Sequence, residues 1–173
     1  MVTRRQAREW ALMFLTSFDL NPQENADSAL AAFWEQQEEL ERERVASGER
    51  VKKAFCSVDA AVRASLEEMK TFAESRVKGV CAQRRELDAR IEAHLKNWKL
   101  YRLGTVERNV LRLGAWELLN CADVPAPIVI NESVDLAKYF SETKSGRFVN
   151  AVLDNIAKEL ATQKDAGEWT PAK

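Results

Sequence analysis

The sequence predicts an all-α chain, and three observations carry that prediction. Glycine and proline number only 6 and 4 in 173 residues, so few helix breakers interrupt the chain. No segment sustains the apolar–polar alternation of a half-buried strand. Apolar residues instead recur at i, i+3, i+4 and i+7, the spacing of one buried helix face. A hydrophobic share of 46% is enough for a packed core, and the length fits one domain or two tightly joined sub-bundles.

The first helix starts at a capping-box spacing, Thr3 with Gln6. Ala7, Trp10, Ala11, Phe14, Leu15 and Phe18 form its buried stripe, and Asn21-Pro22 ends it, because the residue before proline avoids the α region. A second helix is expected from about Asp27 to Ala46, with Leu30, Phe33, Trp34, Leu40 and Val45 as its stripe and Gly48 as its stop. Between Glu35 and Arg50 the charges are mixed, as on a solvated helix face. A third stripe runs from Val51 through Phe55, Val62, Leu66, Met69, Phe72 and Val77 to Cys81, as one long helix or two in near-continuous register. Gly79 either weakens it or admits a neighbouring helix. Leu87, Ile91, Leu95 and Trp98 mark a fourth helix.

Gly104-Thr105 reads as a break and an N-cap before a fifth helix, Val106 to about Asn120. Pro125-Ala126-Pro127 predicts an extended connection, with Asn131 capping a sixth helix that reaches Tyr139 or Phe140. Ser145 is the expected cap of a seventh helix, whose Phe148, Val149, Val152, Leu153 and Ile156 face inward. Residues 164–173 lack periodicity and read as a flexible tail.

The formal net charge of −1 gives no global basic field, so any nucleic-acid contact must come from a local patch. Cys56, Cys81 and Cys121 lack metal-ligand or redox spacing and read as reduced thiols. No signal-peptide pattern and no membrane-length apolar run appears, which points to a soluble cytoplasmic chain. The single histidine, His94, reads as a surface or boundary residue. No nucleophile motif, phosphate-binding glycine loop or metal-ligand cluster is seen, so neither an enzyme nor a cofactor is expected.

One local patch stands out. Arg4, Arg5 and Arg8 crowd the start of the first helix, and no acid precedes Glu9. Cations there oppose the helix dipole, at about 0.3–1 kcal/mol each when exposed. Arg4 and Arg8 lie about 40° apart around the helix, with Arg5 further round, and all three are expected off the apolar stripe. Guanidinium forks suit phosphates and stack on bases, so RNA binding stands beside a merely solubilising role.

Arg5-Gln-Ala-Arg-Glu-Trp-Ala-Leu-Met-Phe-Leu15 resembles the arginine-rich first helix of the NusB family. Gly104-Thr-Val-Glu-Arg-Asn-Val-Leu-Arg112 resembles the opening of that family's C-terminal half. Val124-Pro125, Ile130-Asn-Glu-Ser-Val-Asp-Leu-Ala-Lys138 and Arg147-Phe-Val-Asn-Ala-Val-Leu153 extend the resemblance. It implies about seven helices in two packed sub-bundles, here about 1–100 and 101–163 of a 1–163 RNA-binding domain.

The resemblance further implies a transcription antitermination factor. Such a protein binds the boxA element of rRNA leader transcripts together with NusE, a small-subunit ribosomal protein, and joins the RNA polymerase antitermination complex. It places Arg4, Arg5 and Arg8 on the RNA-binding segment, Arg147 and Phe148 on a second part of the RNA surface, and Glu107 at the NusE interface. Lys144 stands where some members carry an acid, which favours RNA, and Thr16 where many carry an aromatic.

Residues from about 35 to 70 contain an insertion relative to compact members. A helical hairpin lengthened by ~12 residues per arm would project roughly 18 Å. An alternative reading is a NusB-like interaction module, a homodimer with weak RNA binding. A third is an rRNA cytosine methyltransferase, since such domains precede one. No glycine-rich cofactor loop or catalytic cysteine segment follows here, which disfavours it.

Overall fold

The computed structural model describes residues 3–22, 25–46, 60–95, 99–141 and 145–166. Among them are seven α-helices, one short 3-10 helix and no strand. The helices are α1 Arg4–Leu20, α2 Ala26–Ala46, α3 Ala60–Ala82, α4 Arg84–Ala93, α5 Thr105–Asn120, α6 Ala126–Phe140 and α7 Ser145–Asp165. Gly48, Val51, Phe55, Cys56, Val58 and Trp98 lie outside the described residues. The chain divides into two compact units within α3, between Lys78 and Gly79. This is earlier than the expected boundary near residue 100, because α4 packs on α5 and α7.

In the first unit, α1 begins as its sequence dictates. The Gln6 N–H donates to Thr3 Oγ1 at 3.3 Å, and the Thr3 N–H donates back to Gln6 Oε1 at 3.3 Å. Ala7, Ala11, Leu12, Phe14 and Leu15 are buried, as are Ala29, Leu30 and Trp34 of α2 and Leu66, Met69, Ala73 and Val77 of α3. Aromatic edges lock α1 to α2: Trp10 meets Trp34 at 5.5 Å and Phe14 meets Phe33 at 5.6 Å between ring centroids. Trp34 Nε1 donates to Glu74 Oε1 at 2.9 Å, which ties α2 to α3 and satisfies an indole that would otherwise be buried with an idle donor.

In the second unit, α5 is the central element, with Val110, Leu111, Leu113 and Ala115 almost inaccessible to solvent. It packs against α6 and α7, which contribute Val129, Leu136 and Ala137, and Val149, Leu153 and Ile156. Arg112 is buried on α5. It forks onto Asp88 of α4, Nε to Oδ1 at 2.6 Å and Nη2 to Oδ2 at 2.8 Å, and its Nη1 reaches Asn109 at 3.1 Å. Gly79 is a close-approach position: a Cβ there would fall 2.2 Å from Trp116 Cε2 of α5. His94 is half-buried, as its boundary reading expects, with Nε2 2.6 Å from Glu159 Oε2. Cys81 and Cys121 are free thiols.

Three sequence expectations are corrected by the fold. The sixth helix starts at Ala126, not at Asn131. Pro125 is its N-cap and Pro127 lies in its first turn, where a missing N–H costs nothing. The proline pair therefore opens the helix instead of preceding it. Ser145 is the first residue of α7 and not a cap before it. The last helix also runs to Asp165, so its final turn enters the segment expected to be a tail.

Candidate nucleic-acid interface

The α1 cluster is built on a ring from another helix. Phe72 of α3 has the Arg76 guanidinium carbon 3.3 Å from its centroid, that of Arg8 at 5.3 Å and that of Arg4 at 5.7 Å. All three lie within the range at which a cation is drawn to an aromatic face. Arg76 Nη1 also donates to Ser75 Oγ at 2.9 Å. Arg4 and Arg5 are exposed, and Arg5 Nε stands 3.8 Å from Glu9 Oε1, a long separation between surface groups. The first turn of α1 contains no acid.

Arg8 departs from the sequence expectation. Its side chain is expected off the apolar stripe, but the residue is only 4% exposed. It sits one position after buried Ala7 and three before buried Ala11, and the ring of Phe72 receives it. The cation is accommodated by its long apolar stem and by the aromatic face, so burial does not require an apolar residue.

Sequence reasoning misses Phe72 and Arg76 as site residues. Phe72 reads as one member of the apolar stripe of the third helix, and the sequence reading does not single out Arg76. The available signal is their i, i+4 spacing, which puts them on one helix face.

The second cluster forms where α5 starts, α6 ends and α7 starts. Glu107 Oε1 accepts from the Ser145 hydroxyl at 2.9 Å and from the hydroxyl of Ser141, the C-cap of α6. Burial pushes the Glu107 carboxyl up. Hydrogen bonds from Ser141, its own backbone N–H and Ser145 outweigh that and hold it below its ordinary value. Gly104, the N-cap of α5, makes room for it: a Cβ there would fall 2.3 Å from Glu107 Oε2. Within the same helix end, Arg147 is exposed, Phe148 half-buried and Val149 fully buried. Phe148 thus stands at the edge of the apolar stripe. Lys144 lies outside the described residues.

The family model described as the NusB family matches residues 5–158. The chain belongs to the NusB family. A transcription antitermination protein NusB from Anaeromyxobacter dehalogenans is 40% identical over 161 residues, covering 92% of this chain and 94% of that protein. The fold agrees with a solved NusB of T. maritima at a TM-score of 0.70 and 27% identity, over 96% of this chain and 98% of that one. It also agrees with a solved structure of antitermination factors NusB and NusE in complex with dsRNA, at a TM-score of 0.67 and 28% identity, over 90% and 96% of the two chains.

The NusB match takes in Arg5, Arg8, Phe72, Arg76, Glu107, Arg147 and Phe148, and starts one residue after Arg4. No described helix is long and apolar enough to cross a membrane. Among the described residues, no group of three His, Cys, Asp or Glu side chains is placed to hold a metal ion.

Proposed function

We propose that this chain is a non-catalytic transcription antitermination factor that binds the boxA element of rRNA leader transcripts together with NusE, within the RNA polymerase antitermination complex. The observation that carries the reading is the guanidinium cluster at the start of α1, in a chain of the NusB family. A helix start without an acid and with three arginines is electrostatically unfavourable by itself, and an anion relieves it. The solved neighbour in which NusB and NusE are in complex with dsRNA supports the same pair of partners here.

In this reading, Arg4 and Arg5 meet phosphates directly, being exposed, and Arg8 contributes its charge from behind them. Lys144 and Arg147 add cations at the start of α7, and half-buried Phe148 offers a ring edge or face to an unpaired base. Glu107 carries the NusE contact: hydrogen bonding keeps its carboxyl ionised at neutral pH, ready for a cation of that protein. The test is titration of single-stranded boxA RNA with the full chain, alone and in the presence of NusE. Binding that tightens when NusE is added supports the reading, and RNA binding absent under both conditions contradicts it.

A further inference from the structure

We propose that Phe72 and Arg76 of α3 are positioning residues of the α1 RNA surface: they hold the Arg8 and Arg4 guanidiniums in place for the phosphates of an RNA strand. The inference rests on the RNA-binding reading above and adds a second helix to it. It starts from the order of exposure around the ring. Arg76 is 9% exposed and Arg8 4%, whereas Arg4 is open to solvent. All three guanidinium carbons lie within 5.7 Å of the Phe72 centroid. Arg76 lies closest and is held further by Ser75 Oγ and by the Phe72 carbonyl oxygen, which its Nη1 approaches at 3.5 Å. The ring is therefore fixed by its own helix, and it fixes the two arginines of α1 in turn.

This arrangement matters for binding because an arginine carries many rotamers. A free surface arginine loses that freedom when it grips a phosphate, and the loss weakens binding. Here the freedom of Arg8 is already spent in folding, and Arg4 is restrained by the attraction between its cation and the ring. The surface is pre-ordered, and its reach extends from α1 to the face of α3 that carries Phe72 and Arg76.

The test uses four full-length variants with single-stranded boxA RNA, each checked for folding by urea denaturation. Phe72→Leu keeps apolar bulk and removes the aromatic face; Phe72→Trp keeps the face; Arg76→Lys keeps charge and removes the planar stack; Arg5→Ala removes an exposed arginine of the same helix start. The expected result is RNA affinity lowered roughly fivefold to tenfold by Phe72→Leu, as for one or two arginines that must be ordered on binding. Phe72→Trp stays within about twofold of the parent, since indole holds cations best, and Arg76→Lys falls between the two. Parent-like affinity for Phe72→Leu, or equal loss in the Leu and Trp variants, overturns the inference. If Arg5→Ala is weakened while Phe72→Leu is not, only the positioning role falls. If neither is weakened, the RNA surface on α1 falls with it.

Discussion

Arg5 and Arg8 stand three positions apart on α1, yet the fold uses them differently. Arg5 is exposed, so Arg5→Ala is expected to change stability by no more than about 0.5 kcal/mol in urea unfolding. Arg8 is 4% exposed and packs near the Phe72 ring, so Arg8→Ala is expected to cost about 1–3 kcal/mol in the same measurement. Weaker RNA binding in an Arg8 variant must therefore be weighed against its stability, and the Arg5 variant is the cleaner probe. Glu107 gives a second residue-level prediction. Its carboxyl is held below its ordinary value, so its contribution is present above the unfolded value near 4.5 and disappears as pH falls through the folded one. Comparing urea unfolding of the parent and Glu107→Gln, the parent's advantage is expected at pH 7 and is expected to shrink progressively as pH falls below 4.5. An advantage independent of pH would show that the ionised carboxylate is not what Ser141 and Ser145 stabilise.

At the scale of the elements, most helices are legible because each carries its own period. The α1 start can be read from Thr3 and Gln6 alone, since a capping box is local. The start of α6 cannot, because two prolines look the same whether they block a helix or open one, and only the following turn decides. The same limit applies to Ser145. Its hydroxyl could cap α7 by local rules, but it donates instead to Glu107, 38 residues away, which no local pattern announces. Gly79 leaves two readings open in the sequence, and the closeness of Trp116 decides for close approach. Gly79→Ala would normally favour a helix by about 1 kcal/mol. Here it is expected to destabilise by about 1–3 kcal/mol, because the added methyl meets a rigid ring and forces overpacking. Urea denaturation of that variant checks the sign, and a gain in stability would mean the indole moves aside freely.

At the scale of the whole molecule, the fold class and the family are legible in the sequence, and the physical construction of the site is only partly so. The arginines of α1 announce themselves by crowding a helix start that lacks acids, a one-dimensional signal. The Phe72–Arg76 support does not, because it pairs positions more than sixty residues apart in sequence. Family resemblance points to Glu107 as a partner contact, and the structure adds an internal role, with Ser141 and Ser145. A net charge of −1 leaves attraction to RNA to these local clusters, so their grip on phosphates must dominate the salt response. That response is the most direct test of the central claim. Affinity for single-stranded boxA RNA in the presence of NusE is measured across a salt series, for the parent and for the Arg4→Ala, Arg5→Ala double variant. Each arginine–phosphate pairing removed from a single strand should flatten the plot of log affinity against log salt by about 0.7. The account predicts a flattening of about 1.4 with weaker binding at every salt concentration. A folded double variant with the parent's slope and affinity would contradict it.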